Sequence, residues 1–164
     1  MARSTARRVS VDVFVEIPKG SRAKYELDKK TGRIRLDRVL FSSVHYPADY
    51  GFITDTLAGD GDPLDALVVV EEPTFPGCVI PTRPIGTLLM RDKRGPDEKI
   101  LGVPVGDPRF DEVQELDDLA HHWLREIETF FSTYKELEGD RVKLSGWRKA
   151  AVAWDLIEKS RARA

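Results

Sequence analysis

Residues 59–70 have the sequence GDGDPLDALVVV, in which three aspartates lead into an apolar run. The run 66–70 is rich in valine, and this composition predicts a buried β-strand. Asp60, Asp62 and Asp65 lie so close together that their charges repel one another unless a cation lies among them. Carboxylate oxygens are the ligands that Mg²⁺, Mn²⁺ and Ca²⁺ prefer. The stretch therefore favours a metal site at the mouth of a strand over an acidic, solvated turn.

The composition of the 164-residue chain is that of a globular protein, with 41% hydrophobic and 33% charged residues. The net charge of −2 provides no strong field that would attract nucleic acid or an anionic membrane. No apolar run approaches the roughly 18 residues that a membrane-spanning helix needs. The single cysteine, Cys78, excludes an intrachain disulfide and a cysteine-based zinc cluster. These observations favour a cytoplasmic protein without nucleic-acid or membrane partners.

Residues 1–8 form a basic segment that lacks the apolar stretch of a secretory signal. We expect a disordered tail there, and a fragment of an organellar transit peptide is the alternative. The rest of the chain is long enough to bury a core of its own. We therefore expect a single domain over residues 9–160.

Short strands are predicted along the first two thirds of the chain. Residues 9–17 alternate between apolar and polar side chains, which is the period of a half-buried strand. Two more strands, 22–27 and 33–40, are expected to form a hairpin around a loop that contains Gly32. Further strands are predicted at residues 50–53, 66–70, 79–80, 85–90 and 100–105. The prolines between residues 73 and 84 are expected at strand edges or bulges.

Helices are predicted only after these strands. From Val113 to Leu137 the apolar residues recur at steps of three and four, which predicts an amphipathic helix of about six turns. A short strand at 141–144 then precedes a second helix with Ser145 as its N-cap. The buried stripe of that helix is predicted to consist of Trp147, Ala150, Ala151, Trp154 and Ile157. Strands followed by helices indicate an α+β fold, mainly β, with a small closed or nearly closed barrel.

Acidic, basic and phenolic side chains recur throughout the barrel portion and at the end of the first predicted helix. Carboxylates can hold metal ions, whereas lysine, arginine and tyrosine side chains can bind phosphate oxygens. If these side chains shared one cleft, the cleft would suit a polyphosphate presented as its metal complex. Composition and spacing alone leave open whether they converge.

The polar motifs also occur in a characteristic order: Glu16-Ile17-Pro18, Lys24-Tyr25-Glu26, Asp37-Arg38, residues 46–52 (YPADYGF), residues 60–66 (DGDPLDA), Asp92, Asp97, Lys99 and Tyr134-Lys135. This ordered set resembles the soluble family I inorganic pyrophosphatases of the bacterial type. The resemblance implies an OB-like five-stranded barrel flanked by two C-terminal helices. It also implies a homo-oligomer, and a homohexamer as in most bacterial members. The implied reaction is the hydrolysis of pyrophosphate to two orthophosphates with several Mg²⁺ ions, for which Mn²⁺ or Zn²⁺ could substitute.

The resemblance assigns a role to each polar position. Asp62 is implied as the general base that takes a proton from a metal-activated water. The implied metal ligands are Asp60, Asp65, Asp92, Asp97 and Glu26. The implied substrate-binding residues are Lys24, Arg38, Tyr50, Tyr134 and Lys135. A supporting network is implied for Glu16, Tyr46 and Lys99.

Two other classes of protein were compared with this interpretation. A Ca²⁺-binding EF-hand requires a different spacing of aspartates and a glutamate at loop position twelve, and residues 60–65 have neither. An OB-fold oligonucleotide binder would use a basic groove with exposed aromatic rings, whereas this chain concentrates carboxylates. Both alternatives are therefore disfavoured relative to the hydrolase.

Overall fold

The computed structural model describes residues 9–164, so the predicted tail at 1–8 lies outside the described residues. The described strands are β1 (Val11–Ile17), β2 (Ala23–Asp28), β3 (Arg33–Val39), β4 (Asp49–Ile53), β5 (Asp65–Val68), β6 (Val79–Asp92), β7 (Gly95–Pro96), β8 (Lys99–Pro104) and β9 (Lys143–Lys149). The α-helices are α1 (His121–Thr133) and α2 (Ala150–Arg163). Short 3-10 helices lie at Pro108–Phe110, Leu116–Asp118 and Glu136–Glu138. No helix within 9–164 combines the length and apolar character needed to cross a bilayer.

Five strands close a ring. They pair in the order β1, β4, β5, β8 and β6, and β6 then pairs with β1 again. The β5–β8 pair is parallel, and the other pairs of the ring are antiparallel. Gly51 permits the close approach of β1 and β4, since a Cβ atom there would lie 1.8 Å from the carbonyl oxygen of Phe14. The predicted five-stranded, OB-like barrel in an α+β fold is confirmed.

The valine-rich run after the acidic loop is buried on both faces. Ala66 and Val68 belong to an apolar cluster that includes Trp154 and Ile157 of α2. Leu67 and Val69 belong to a second cluster, which includes Phe130 and Phe131 of α1. Because successive side chains of a strand point to opposite faces, burial on both faces requires a continuous apolar run. This is why β5 lacks the alternation seen in β1.

The β2–β3 hairpin forms a separate two-stranded sheet beside the barrel. Its register pairs Lys24 with Arg38 and Glu26 with Arg35. The backbone N–H of Leu27 in β2 donates a hydrogen bond of 2.8 Å to Oε2 of Glu16 in β1. The hairpin is therefore attached to the barrel through a side chain that was predicted to support the site.

The two strands predicted at residues 79–80 and 85–90 are one continuous strand, β6, and the interruption predicted between them is wrong. Pro84 adjoins a register shift in the pairing with β8, between Pro84 and Gly86. A bulge removes the need for a backbone donor at that position, so proline can remain within the strand. The resulting long strand contacts β1, β7, β8 and β9.

The first helix is shorter than predicted, since α1 begins at His121 and not at Val113. The side chain of Asp118 accepts hydrogen bonds from the backbone N–H groups of Gln114 and Glu115, both at 3.0 Å. Such local bonds compete with helix formation, so this segment forms a 3-10 turn followed by an extended link. Leu137 lies beyond the helix and is exposed, not buried as its spacing suggested.

The second helix begins at Ala150, so the predicted N-cap at Ser145 is wrong. Residues 143–149 instead form β9, whose pairing with β6 overrides the helical spacing. Trp147 lies on this strand, and its Nε1–H donates a hydrogen bond of 2.7 Å to Glu128 of α1. Trp154 and Ile157 are buried as predicted, whereas Ala151 is exposed and Ala153 is buried in its place.

Candidate active site

A polar cleft lies where the β2–β3 hairpin, the loop before β5, the β6–β7 turn and the end of α1 meet the barrel. Twelve of the fourteen predicted site residues line this cleft. They are Glu16, Lys24, Glu26, Tyr50, Asp60, Asp62, Asp65, Asp92, Asp97, Lys99, Tyr134 and Lys135. The fold therefore brings together side chains that are widely separated in the sequence.

Arg38 and Tyr46 lie outside the lining of this cleft. Arg38 lines an adjoining depression together with Lys24 and Lys135. Its guanidinium group makes ion pairs of 2.6 Å with Asp37 and 2.9 Å with Glu138. Burial alone would lower the pKa of Arg38, but the carboxylates of Glu138 and Asp37 outweigh it and raise that pKa.

Tyr46 is buried behind the cleft within an aromatic cluster. Its ring centroid lies 4.6 Å from that of Phe130 and 5.3 Å from that of Tyr50. Phe130 also stacks on Tyr134, with 5.1 Å between the centroids. This packing connects helix α1 to the barrel and holds Tyr134, its C-cap residue, at the cleft.

The ammonium group of Lys99 lies at the centre of the inner wall of the cleft. Its Nζ atom is 2.6 Å from Oδ2 of Asp65, 3.0 Å from Oδ1 of Asp97 and 2.8 Å from the hydroxyl oxygen of Tyr50. The side chain of Lys99 is only 3% exposed. Three strands supply this group, with Tyr50 on β4, Asp65 on β5 and Lys99 on β8.

In the group around Lys99, burial and the neighbouring charges have opposite effects on the pKa values of Lys99 and Asp97. Burial alone would lower the pKa of Lys99, but the neighbouring Asp65 and Asp97 carboxylates and the Tyr50 phenol raise it well above its usual value. The pKa of Asp97 is raised because burial outweighs the attraction of Lys99. Burial also raises the pKa of Tyr50 well above its usual value, so its hydroxyl group stays protonated.

The loop that carries Asp60 and Asp62 is exposed and is shaped mainly by backbone hydrogen bonds. The N–H of Asp62 donates to Oδ1 of Asp60 at 3.0 Å, and the N–H of Ala58 donates to the carbonyl oxygen of Asp62 at 2.7 Å. At the base of the loop, the N–H of Leu57 donates to the carbonyl oxygen of Ser160 in α2 at 2.9 Å. The acidic loop is thus supported by the last helix of the described chain.

Glu16 is the carboxylate with the largest change in proton affinity in the cleft. Burial raises its pKa to about 7, against the opposing hydrogen bond from Leu27, and the charges of Asp65 and Glu26 raise it further. Tyr134 is also affected, since burial raises its pKa to about 12. Burial lowers the pKa of Lys135. The charge of Glu16 therefore changes near neutral pH.

The donor set fits a hard divalent cation because its members are carboxylate oxygens that line one cleft. Within residues 9–164, however, no three acidic, histidine or cysteine side chains converge closely enough to coordinate one ion. Asp65 and Asp97 are turned toward Lys99, and mutual repulsion keeps carboxylates apart. Coordination at one point would thus require these side chains to change rotamer.

Four polar residues that the sequence analysis did not place in the site lie in or beside it. Lys29 and Arg94 line the cleft itself. Asp37 pairs with both Lys24 and Arg38, and its position next to Arg38 in the sequence could have indicated this contact. Glu138 pairs with Arg38 across the fold, and no local pattern in the sequence indicates that contact.

The cleft of this OB-like barrel combines carboxylates, lysines and tyrosines, and this set of side chains suits a metal-dependent hydrolase that acts on phosphoanhydrides. Comparison with known proteins makes the assignment specific. Residues 13–164 match the protein-family model described as Inorganic pyrophosphatase. The chain belongs to the inorganic pyrophosphatase family, whose members require a divalent metal and hydrolyse pyrophosphate to phosphate.

Individual relatives agree with this assignment. The chain is 54% identical to the inorganic pyrophosphatase of Geobacillus stearothermophilus over 153 residues, which cover 93% of each protein. It is 52% identical to the inorganic pyrophosphatase of Methanosarcina acetivorans over 163 residues, covering 99% of this chain and 96% of that protein. The crystal structure of inorganic pyrophosphatase from Thermus thermophilus superposes with a TM-score of 0.92 at 45% identity, covering 94% of this chain and 90% of that chain.

Proposed function

We propose that the protein hydrolyses inorganic pyrophosphate to two orthophosphates with Mg²⁺ as its ion. The observation that carries this proposal is the convergence of seven carboxylates with Lys24, Lys135 and Tyr134 in one cleft. Pyrophosphate carries several negative charges that repel a nucleophile, so its hydrolysis requires both cationic groups and metal sites. Mn²⁺ and Zn²⁺ are the expected substitutes.

The residues proposed to hold the metal ions are the carboxylates of Glu26, Asp60, Asp65, Asp92 and Asp97. Bound divalent ions would neutralise phosphate charge and lower the pKa of the attacking water. The arrangement of Asp65 and Asp97 around Lys99 supports a binding role, because these carboxylates already surround a cation. A change of rotamer would allow oxygens of both carboxylates to coordinate one ion.

Asp62 is proposed as the general base. Asp60 accepts a hydrogen bond from the N–H of Asp62, and Asp65 is paired with Lys99. Within residues 9–164, by contrast, the carboxylate of Asp62 makes no hydrogen bond or ion pair. An exposed carboxylate without a protein partner can accept a proton from a water molecule beside it and release that proton to solvent.

The proposed substrate-binding residues are Lys24, Arg38, Tyr50, Tyr134 and Lys135. The lysines and the arginine would offset the charge of the phosphate oxygens. The phenols of Tyr50 and Tyr134 remain protonated because burial raises their pKa, so they can donate hydrogen bonds without adding charge. Arg38 would act from the adjoining depression, which shares Lys24 and Lys135 with the cleft.

Glu16, Tyr46 and Lys99 are proposed as the supporting network. Lys99 fixes Asp65, Asp97 and Tyr50 in one group. Glu16 accepts the hydrogen bond that attaches the β2–β3 hairpin to β1, and Tyr46 packs behind Tyr50. Each would orient a neighbour that touches metal or substrate.

The test of this function is orthophosphate release from pyrophosphate, measured with Mg²⁺ and with excess EDTA. We expect rapid release that depends on Mg²⁺ and falls by about 10³-fold in Asp62→Asn, within the range for loss of a general base. Asp111→Asn, at an exposed residue that does not line the cleft, is the control. Absence of release by the folded protein with any divalent ion would refute the proposal.

The family resemblance also leads us to propose a homo-oligomer, specifically a homohexamer, and a cytoplasmic location. Multi-angle light scattering of the purified full chain would test the assembly directly. A monomeric mass at micromolar concentration would contradict it.

A further inference from the structure

Two cationic side chains in the cleft, Lys29 and Arg94, have no part in the proposed chemistry. Both line the cleft together with its carboxylates, and both residues are exposed. They come from separate turns, Lys29 from the β2–β3 connection and Arg94 from the β6–β7 connection. Their shared position suggests a common role toward the ligand.

The β6–β7 turn places its two cations in different surroundings. Asp92 pairs with Gly95, so Lys93 and Arg94 form a two-residue connection, and Gly95 has the positive φ of 115° that this turn uses. The N–H of Arg94 donates to Oδ1 of Asp92 at 2.8 Å. Lys93 makes a 3.0 Å ion pair with Asp140 and does not line the cleft, whereas Arg94 does. The turn therefore commits one cation to the protein and presents the other to the cleft.

The β2–β3 turn also presents only one of two neighbouring cations to the cleft. The side chain of Asp28 accepts hydrogen bonds from the N–H groups of Lys30 and Thr31, which fixes the turn beyond Lys29. Lys29 lines the cleft, and its neighbour Lys30 does not. Lys30 is thus a control with the same charge, one residue away.

Three of the other cations near the site, Lys24, Arg38 and Lys99, are partly neutralised by protein carboxylates. Lys99 is paired with Asp65 and Asp97, and Asp37 is paired with both Lys24 and Arg38. Lys135 makes no ion pair within residues 9–164, but its Nζ atom lies 5.3 Å from the centre of the Tyr134 ring. Within the described part of the chain, no ion pair involves Lys29 or Arg94. Their charge is therefore available to an incoming ligand. The other charged side chains of the cleft are seven carboxylates and three lysines, an excess of negative charge that would repel an anion.

We propose that Lys29 and Arg94 form a cationic pair at the rim of the cleft that draws in and retains the polyanionic substrate, and so raises kcat/KM without assisting bond cleavage. This inference rests on the proposed function. Charges near the entrance of a cleft raise the rate of encounter with an oppositely charged ligand, and salt screens the effect.

The test compares Lys29→Ala, Arg94→Ala and the double variant Lys29→Glu/Arg94→Glu in the full chain. At low ionic strength we expect each single variant to lose about 3- to 10-fold in kcat/KM and the double variant about 100-fold, within the range for electrostatic steering. We expect kcat to stay within about twofold, because bond cleavage is unaffected. The differences should shrink as NaCl is raised to about 0.3 M, where the Debye length is only several ångströms.

The matched control is Lys30→Glu/Lys159→Glu, which changes the net charge equally at two exposed sites that do not line the cleft. We expect this control to lose less than about threefold in kcat/KM, since neither of its substituted residues lines the cleft. Arg94→Lys should recover most of the loss of Arg94→Ala. The inference would be overturned if the control lost as much kcat/KM as Lys29→Glu/Arg94→Glu. A fall in kcat with kcat/KM unchanged would also overturn it.

Failure of the proposed function would be recognised separately, because the parent chain is assayed in parallel. If the parent released no orthophosphate, the same variants would be compared by calorimetry with methylenediphosphonate and Mg²⁺. Weaker binding in Lys29→Glu/Arg94→Glu than in Lys30→Glu/Lys159→Glu would support the cationic pair. Equal binding in these two variants would refute it.

Discussion

The two walls of the cleft carry aspartates in opposite physical settings. On the inner wall, Asp65 and Asp97 surround the buried ammonium group of Lys99. On the outer loop, Asp60 and Asp62 are exposed, and Asp62 has no side-chain partner within residues 9–164. A carboxylate that is compensated and held by strands is suited to bind a cation in a fixed place. One on a solvated loop is suited to exchange protons. The difference separates two candidate ligands, Asp65 and Asp97, from the candidate base, whereas the candidate ligand Asp60 shares the exposed loop with Asp62.

The largest effects are expected when one aspartate on each wall is replaced. We expect Asp62→Asn to lower kcat about 10³-fold while Mg²⁺ affinity is retained, because this change removes only the proposed base. Asp65→Asn should lower kcat similarly and should also weaken Mg²⁺ binding by at least about 10-fold. Loss of a residue that only supports a metal ligand typically weakens metal binding by at least that factor, so loss of a ligand should weaken it no less. Titration calorimetry with Mg²⁺ on folded protein provides the measurement. Equal Mg²⁺ affinity in Asp65→Asn and the parent would exclude the ligand role.

A smaller but still large effect is expected from removing the cation of the inner wall. Lys99→Met leaves Asp65 and Asp97 partly buried without their partner and should lower the free energy of unfolding by about 3 kcal/mol at pH 7. The difference in the free energy of unfolding between Lys99→Met and the parent should become smaller as the pH falls, because protonated carboxylates no longer need a cationic partner. Urea denaturation at several pH values measures this. Lys159→Met on the exposed face of α2 should change little, and a fully stable Lys99→Met would show that the wall does not depend on its cation.

The smallest effect is expected for Glu16, whose carboxylate accepts the hydrogen bond that attaches the β2–β3 hairpin to β1. Its folded-state pKa of about 7 lies above the usual 4.5, so its neutral form is favoured by folding. That contribution is complete below about pH 4.5 and is lost as the pH rises through about 7. The free energy of unfolding of the parent should therefore fall relative to Glu16→Gln by about 2 kcal/mol between pH 5 and 8. Parallel pH profiles for the two proteins would contradict the raised pKa.

Much of the barrel can be predicted from local sequence patterns, because the number of buried faces of a strand determines the pattern of its apolar residues. The alternation in β1 and the continuous apolar run of β5 reflect one and two buried faces, and both strands lie where they were predicted, within a few residues. The beginning of α1 could not be predicted in this way. Asp118 caps a turn there, and its bonds to Gln114 and Glu115 compete with a helix that the spacing alone favours.

Some residues of the site could not be predicted from the sequence for a similar reason. Residues that the resemblance covered, such as Asp62 and Tyr134, lie in the cleft, although their roles remain predictions. No sequence pattern indicated that Lys29 and Arg94 belong to the site, since a charged residue in a turn is usually only solvated. Their position depends on how two separate turns meet, which is a property of the assembled fold. The same holds for Glu138, whose contact with Arg38 spans distant parts of the sequence.

The hydrogen bond between the N–H of Leu57 and the carbonyl oxygen of Ser160 has a consequence for the order of assembly. During synthesis, the acidic loop leaves the ribosome long before the helix that supports its base. We therefore expect a nascent chain to form its barrel contacts first and to give the loop its final shape only once α2 has emerged. Hydrogen exchange at the Leu57 amide during refolding would report that step, and protection before α2 forms would argue against it.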